Sequence, residues 1–327
     1  MAKMSRPFAM TIAVIAIALS GARADAQSVA RIELQPIQTV TLKTSQILTG
    51  DTKGAPATLA GELRIPKPGS DRLPAVILIH GSGGVGSNVD AWAKEMNSLG
   101  IAAFILDAFS GRGIVSTVSD QSQLDSLAMM IDAYRALSLL ARHPRIDPER
   151  IAVMGFSKGA VPAVYSSNER FRKLYDPAEV KFAAHIGLYT PCNVQYHDDD
   201  KVTGAPIRLF HGVADDYVSI APCRDYVERL RRAGANVALA EYPDAFHAYD
   251  STAFSTPVQL PQAQTTRNCM LREGDSGRVL NTKTGAIYTL DDPCVEHGPH
   301  IGFNQAAYQA TVKAVREFLT ATFKLSG

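Results

Sequence analysis

The chain lacks charge of one sign. Its 33 basic residues stand against 32 acidic ones, a formal net charge of +1. Without an excess of either sign or a basic run, nucleic acid and anionic membrane surfaces are excluded as evident partners. There is no internal repeat, which excludes a solenoid or propeller array. There is also no apolar run of membrane-spanning length: the longest stretch, residues 8–19, falls short of the roughly 20 residues that a helical span needs. Two motifs are missing as well. Neither G-x-x-x-x-G-K-[ST] for a phosphate loop nor H-E-x-x-H for zinc occurs, so no nucleotide or metal cofactor is expected.

Cysteine is scarce but even in number: Cys192, Cys223, Cys269 and Cys294. The N-terminus gives them a context. Lys3 and Arg6 precede the apolar stretch, and Ala22-Arg23-Ala24 and Ala24-Asp25-Ala26 follow it as A-x-A cleavage sites. This pattern is that of an export signal over residues 1–26, with a mature chain starting at Asp25 or Gln27 and destined for the periplasm or the medium. In an oxidising compartment four cysteines support up to two disulfides, and three pairings exist. Cys269 with Cys294 would close a Gly-rich segment, and Cys192 with Cys223 would tie two loops that follow neighbouring strands.

What the chain does have is a series of short apolar runs separated by helical patterns. Runs at 75–79, 102–106, 151–154, 182–188, 207–210 and 237–242 are bounded by Gly, Asp or Pro, as expected of strands buried on both faces. Helical spacing is found at 90–99, 123–142, 222–232 and 305–323. Alternation of this kind predicts an α/β fold with a mostly parallel sheet covered on both faces, and residues 32–43 and 59–65 add antiparallel strands at the front edge. Residues 27–327 form one domain in this reading. Residues 251–302, polar and rich in Gly, Thr and Pro, are an insertion that either caps the site or decorates it.

Chemistry concentrates at strand ends. Gly155-Phe156-Ser157-Lys158-Gly159 is G-x-S-x-G between a buried strand and a helix, the setting of a nucleophile elbow. A serine hydroxyl needs a base to take its proton, and in the α/β-hydrolase fold the acid and then the histidine follow in chain order. The loop after 207–210 supplies Asp215, with Asp216 as its neighbour and rival. The loop after 237–242 supplies His247, to which Asp244 is too close in sequence to be an easy partner. Oxyanion donors are expected from the amides of Lys158 and Ser82, the latter in Gly81-Ser82-Gly83-Gly84, with Gly83 as the alternative. His80 and His211 precede glycines and suit turn packing, and His185 suits the core. His297 and His300 lack a metal-ligand spacing.

With these residues in place the chain resembles the dienelactone hydrolase family of the α/β-hydrolases, over about residues 59–249 and again in the last helix. The resemblance is carried by His80-Gly81-Ser82-Gly83-Gly84, Asp107-Ala-Phe-Ser-Gly-Arg112-Gly113, and Ile146-Asp147-Pro148-Glu149-Arg150-Ile151 leading into the elbow. It is carried also by His211-Gly-Val-Ala-Asp215-Asp216 and Tyr242-Pro-Asp-Ala-Phe-His247. It implies hydrolysis of a small-molecule ester through an acyl-enzyme, without a cofactor. Founding members are cytoplasmic and use a cysteine where this chain has Ser157. The serine, the export signal and the insertion therefore point to a general carboxylesterase acting outside the cytoplasm. Arg112 either binds a substrate carboxylate or shapes its own loop through a salt bridge. The same triad also serves peptidases and acyltransferases, while a catalytically inactive binding module predicts a broken triad; here all three positions are filled.

Overall fold

The computed structural model describes residues 1, 29–176 and 180–325. The segment expected to be an export signal, with its expected cleavage sites, lies outside the described residues apart from Met1.

Eight strands form the central sheet: β1 (Arg31–Thr41), β2 (Ala55–Ile65), β3 (Leu73–Ile79), β4 (Ala102–Asp107), β5 (Ile146–Phe156), β6 (Ala184–Leu188), β7 (Ile207–Gly212) and β8 (Val237–Tyr242). Their spatial order is β1-β2-β4-β3-β5-β6-β7-β8. The β1–β2 and β2–β4 contacts are antiparallel; all later contacts are parallel. Every residue of β3 is buried, because helices cover both faces of a parallel sheet. The pleat sends Ala75, Ile77 and Ile79 to one core and Val76 and Leu78 to the other. In β2 burial alternates instead, with Leu59, Gly61, Leu63 and Ile65 inward, as suits an edge ribbon with one wet face.

Seven helices accompany the sheet: α1 (Thr44–Thr49), α2 (Ser87–Ser98), α3 (Ala128–Ala141), α4 (Ala160–Tyr165), α5 (Glu169–Tyr175), α6 (Ala221–Arg232) and α7 (Gln305–Phe323). Helix α2 buries Val89, Trp92, Ala93 and Met96, one stripe at helical spacing, beside Val315 and Leu319 of α7. On the opposite face Leu137 of α3, Val164 of α4 and Tyr226 of α6 pack with Ile77. Asn304 caps α7, its side chain accepting the Ala307 amide at 3.0 Å.

Two boundaries differ from expectation. The segment read as one helix over 123–142 becomes helical only at Ala128. Tertiary bonds override its periodicity: the Asp125 carboxylate accepts the Thr44 amide at 2.6 Å, and the Gln121 amide donates to Gln264 at 2.8 Å. Strand β5 also begins earlier, at Ile146, which pairs with Leu73 across a register shift.

The insertion has little regular structure and is held by side chains. Val258–Gln259 pairs with His300–Ile301, and Gln264–Thr265 with Glu296–His297. Leu271–Glu273 lies between Val279–Asn281 and Val194–Gln195, so the insertion extends the loop that follows β6. Arg170 of α5 grips the buried Glu273 with two bonds of 2.8 and 2.7 Å. Two disulfides, Cys192–Cys223 and Cys269–Cys294, take one of the three pairings the sequence leaves open, the second stapling the insertion to itself. No helix among the described residues is long and apolar enough to cross a membrane.

Candidate active site

Ser157 follows β5 directly and sits at φ +50°, a conformation that costs a non-glycine residue free energy and is retained where the surroundings enforce it. The flanking glycines are required by space. A β-carbon on Gly155 would lie 2.0 Å from the Gly159 carbonyl oxygen, and one on Gly159 would lie 2.3 Å from the carbonyl oxygens of Ile79 and His80. The chain can therefore turn from strand to helix within one residue and project the serine from the sheet's carboxyl edge, where α/β sheets place their sites.

The loops after β7 and β8 bring the two partners to it. The Ser157 Oγ stands 2.9 Å from His247 Nε2, and His247 Nδ1 stands 2.8 Å from Asp215 Oδ2. The other carboxylate oxygen of Asp215 accepts the amides of Tyr217 at 2.9 Å and Val218 at 2.8 Å. Burial would raise the Asp215 carboxyl, but the charge of His247 and hydrogen bonds from His211 and His247 outweigh it and hold the group well below the carboxylate range. Asp215 is thus anionic at neutral pH, which fixes the imidazole with its proton on Nδ1 and its lone pair toward the serine.

Two tyrosines missed by motif reasoning hold the imidazole in place. Tyr189 packs edge-on against His247 and Tyr217 lies tilted against it, each with ring centroids 4.6 Å away. Behind Tyr189 the buried Asp250 carboxylate accepts from its hydroxyl at 2.8 Å and from the Trp92 indole at 2.8 Å. Tyr189 and Ala248, the residue after His247, have φ of +40° and +55°. Backbone strain thus gathers around the histidine as it does at the serine. Only their places in loops at strand ends hinted at this.

Ser82 and Lys158 border the same cavity as Ser157. The two are linked through the Gln121 side chain: the Lys158 ammonium donates to Gln121 Oε1 at 3.0 Å, and Gln121 Nε2 donates to Ser82 Oγ at 3.1 Å. Burial pushes the Lys158 amine down to about 8. The loop of Ser82 packs on the elbow, since a β-carbon on Gly81 would lie 3.4 Å from that of Ser157.

Other sequence candidates fall elsewhere. Arg112 forms the salt bridge of its loop-shaping reading. Its side chain is 5% exposed, and four of its five N–H groups go to Thr41, the Ala108 carbonyl and both oxygens of Asp132, at 2.8–2.9 Å. It ties the loop after β4 to β1 and α3, away from the cavity. Asp216 points to the insertion, where it accepts the His300 backbone amide and ring nitrogen, each at 2.8 Å. His80 donates from Nδ1 to the Gly81 carbonyl at 2.8 Å and accepts the Ala108 amide at 3.1 Å, the turn-packing role expected of it. His185 is buried in β6 and bonds the Ala163 carbonyl at 2.8 Å, and burial lowers it to about 4. No group of His, Cys, Asp or Glu side chains suited to a metal occurs among the described residues, and His297 does not join His300 in one.

The insertion reaches the loops that carry Asp215 and His247 and the segment of Gln121. Thr265 donates to the Tyr217 carbonyl at 2.6 Å, the Gly302 amide to that of His247 at 3.0 Å, and Gln264 accepts the Gln121 amide at 2.8 Å. It also walls the cavity of about 490 Å³ that opens at Ser157. The arrangement sets a hydroxyl, an imidazole and a buried carboxylate in line beside a volume that a small ester would fill.

Known proteins carry related folds. A probable 2-oxo-3-(5-oxofuran-2-ylidene)propanoate lactonase from Bradyrhizobium sp is 23% identical over 194 residues, 54% of this chain and 74% of that protein. A dienelactone hydrolase-like promiscuous phosphotriesterase from metagenomic libraries superposes with a TM-score of 0.56 at 15% identity, covering 90% of this chain and 99% of its own. Esterase 2 of Thermogutta terrifontis, phosphorylated by paraoxon, gives 0.55 at 16% identity, covering 92% and 97%. These likenesses establish the α/β-hydrolase fold. The dienelactone hydrolase family model matches residues 59–265, from β2 through both candidate triad loops into the insertion, and the chain accordingly belongs to the dienelactone hydrolase family and to the hydrolases of ester bonds.

Proposed function

We propose that the protein is an exported serine carboxylesterase with Ser157 as nucleophile, His247 as base and Asp215 as orienting acid. One observation carries this reading: the unbroken relay from Ser157 Oγ through His247 to a buried anionic Asp215, at 2.9 and 2.8 Å. His247 Nε2 takes the hydroxyl proton as Ser157 attacks the ester carbonyl. The oxyanion of the tetrahedral intermediate is met by the amides of Lys158 and Ser82. His247, now an imidazolium beside Asp215, passes its proton to the leaving alcohol. A water then enters, gives a proton to His247 and attacks the acyl-enzyme, and the acid departs as Ser157 recovers its proton.

The Bradyrhizobium relative is named a lactonase, and a lactone is an internal ester, which supports ester chemistry at this site. Two disulfides fit an extracellular protein and support export. The test is turnover of p-nitrophenyl acetate by wild type and Ser157→Ala. A fall of several orders of magnitude in kcat supports the assignment; equal turnover by both would remove Ser157 from the mechanism.

A further inference from the structure

The insertion builds a wall of the cavity that opens at Ser157, and among the polar groups it brings, such as Gln264, Thr266 and Arg278, lies a set of large apolar side chains. Leu271, Ile287, Tyr288 and Leu290 line it together with Val161 of α4 and Tyr196. Ile287 is 54% exposed and lines the cavity, so an apolar group bound there would take its side chain out of water. The wall is braced from several sides. The Cys269–Cys294 bond closes its loop, Arg267 pairs with Glu296 at 2.6 Å, and Asn281 donates to both oxygens of Asp292 at 3.1 Å. A cavity of about 490 Å³ lies within the range of pockets that enclose drug-sized ligands, far larger than an acetyl group needs.

From this we infer that the insertion selects the substrate: the 271–290 wall binds an apolar group of about six carbons on one side of the scissile ester. The inference rests on the serine esterase reading of the same site. Each methylene that leaves water contributes about fourfold to kcat/KM. If half of the four methylenes added between an acetate and a hexanoate ester are covered, the longer ester is favoured about 16-fold.

The experiment compares p-nitrophenyl acetate with the hexanoate, and ethyl acetate with hexyl acetate, so that the acid and alcohol sides are told apart. Wild type should favour the longer member of one series by at least tenfold in kcat/KM. In Ile287→Asp that ratio should fall to near one, while Leu34→Asp, at an exposed aliphatic position on β1 outside the cavity, should keep it. Flat ratios in both wild-type series, or a ratio unmoved by Ile287→Asp, overturn the inference. Calorimetric binding to Ser157→Ala separates selection from catalysis. Tighter binding of the longer ester, lost in Ser157→Ala with Ile287→Asp, upholds the wall even if turnover fails for another reason. Equal binding of both esters overturns it.

Discussion

Replacing Asp215 by Asn tests the orientation of the base with almost no change of shape. In the native site one carboxylate oxygen accepts the amides of Tyr217 and Val218, at 2.9 and 2.8 Å, and the other faces His247 Nδ1 at 2.8 Å. Two backbone donors dictate which end of an asparagine lies where. Its oxygen must stay on the amides, so its NH₂ group is turned toward Nδ1. His247 can then meet that donor only by moving its proton to Nε2, which leaves no lone pair for the Ser157 hydroxyl. A base locked in the wrong tautomer costs about 10⁴ in kcat, about 5.5 kcal/mol of transition-state stabilisation. Asp216→Asn is the matched control. That side chain serves His300 and Arg267 in a half-exposed setting, where an ion pair contributes about 1 kcal/mol or less. Steady-state hydrolysis of a p-nitrophenyl ester, with circular dichroism to establish folding, should show the first variant nearly inactive and the second within threefold of wild type. If Asp215→Asn stays within tenfold of wild type while Asp216→Asn collapses, the acid has been misassigned and the tautomer argument is wrong.

Three further outcomes follow from the same structure. Replacing Cys269 and Cys294 by Ser opens a loop whose ends are 25 residues apart, which removes about 3.5 kcal/mol of denatured-state constraint; calorimetry should register a melting point lower by several degrees, and an unchanged one would mean that the insertion melts separately from the sheet. Gly159→Ala places a methyl group 2.3 Å from two backbone oxygens that cannot step aside; the elbow should shift, with kcat down about a hundredfold and stability down by roughly 1–3 kcal/mol, and near-normal kinetics would show that the elbow is not held as described. Lys158 gives a pH signature. Its amine is lowered from 10.5 to about 8 by burial, so between those values the unfolded chain holds more protons and stability rises with pH. The penalty, roughly 3 kcal/mol, is fully present below pH 8 and relieved toward pH 10.5. Urea midpoints at pH 7.5 and 9.5 should therefore rise more for wild type than for Lys158→Met, and parallel slopes would contradict the burial argument.

The sheet was legible because parallel strands buried on both faces leave unmistakable apolar runs. The six expected strands and their parallel pairing follow from them. So does the meeting of Ser157, Asp215 and His247, since each lies directly after a strand on one edge. What was not legible depends on contacts between segments remote in sequence. The start of α3 is displaced because Asp125 bonds α1 and Gln121 bonds the insertion, and helical periodicity carries no trace of either. For Arg112 the sequence leaves a substrate contact and a loop-shaping salt bridge open, and only the fold reveals that Asp132, on a helix twenty residues later, engages it. Tyr189, Tyr217 and Gln121 belong to no motif, and their roles arise from what they pack against. The insertion, poor in apolar runs, disclosed its cysteines but not the wall it contributes.

The central claim is that Ser157 becomes covalently acylated, and trapping it is the most direct test. The mature protein is incubated with a fluorophosphonate, which phosphonylates a serine activated by a base and stalls there, and the intact mass and peptide masses are then read. The account predicts one adduct per chain, located on the peptide that contains Ser157. It also predicts that the adduct is absent from Ser157→Ala and greatly slowed in His247→Ala. An adduct on another residue, or undiminished labelling of Ser157→Ala, would contradict it.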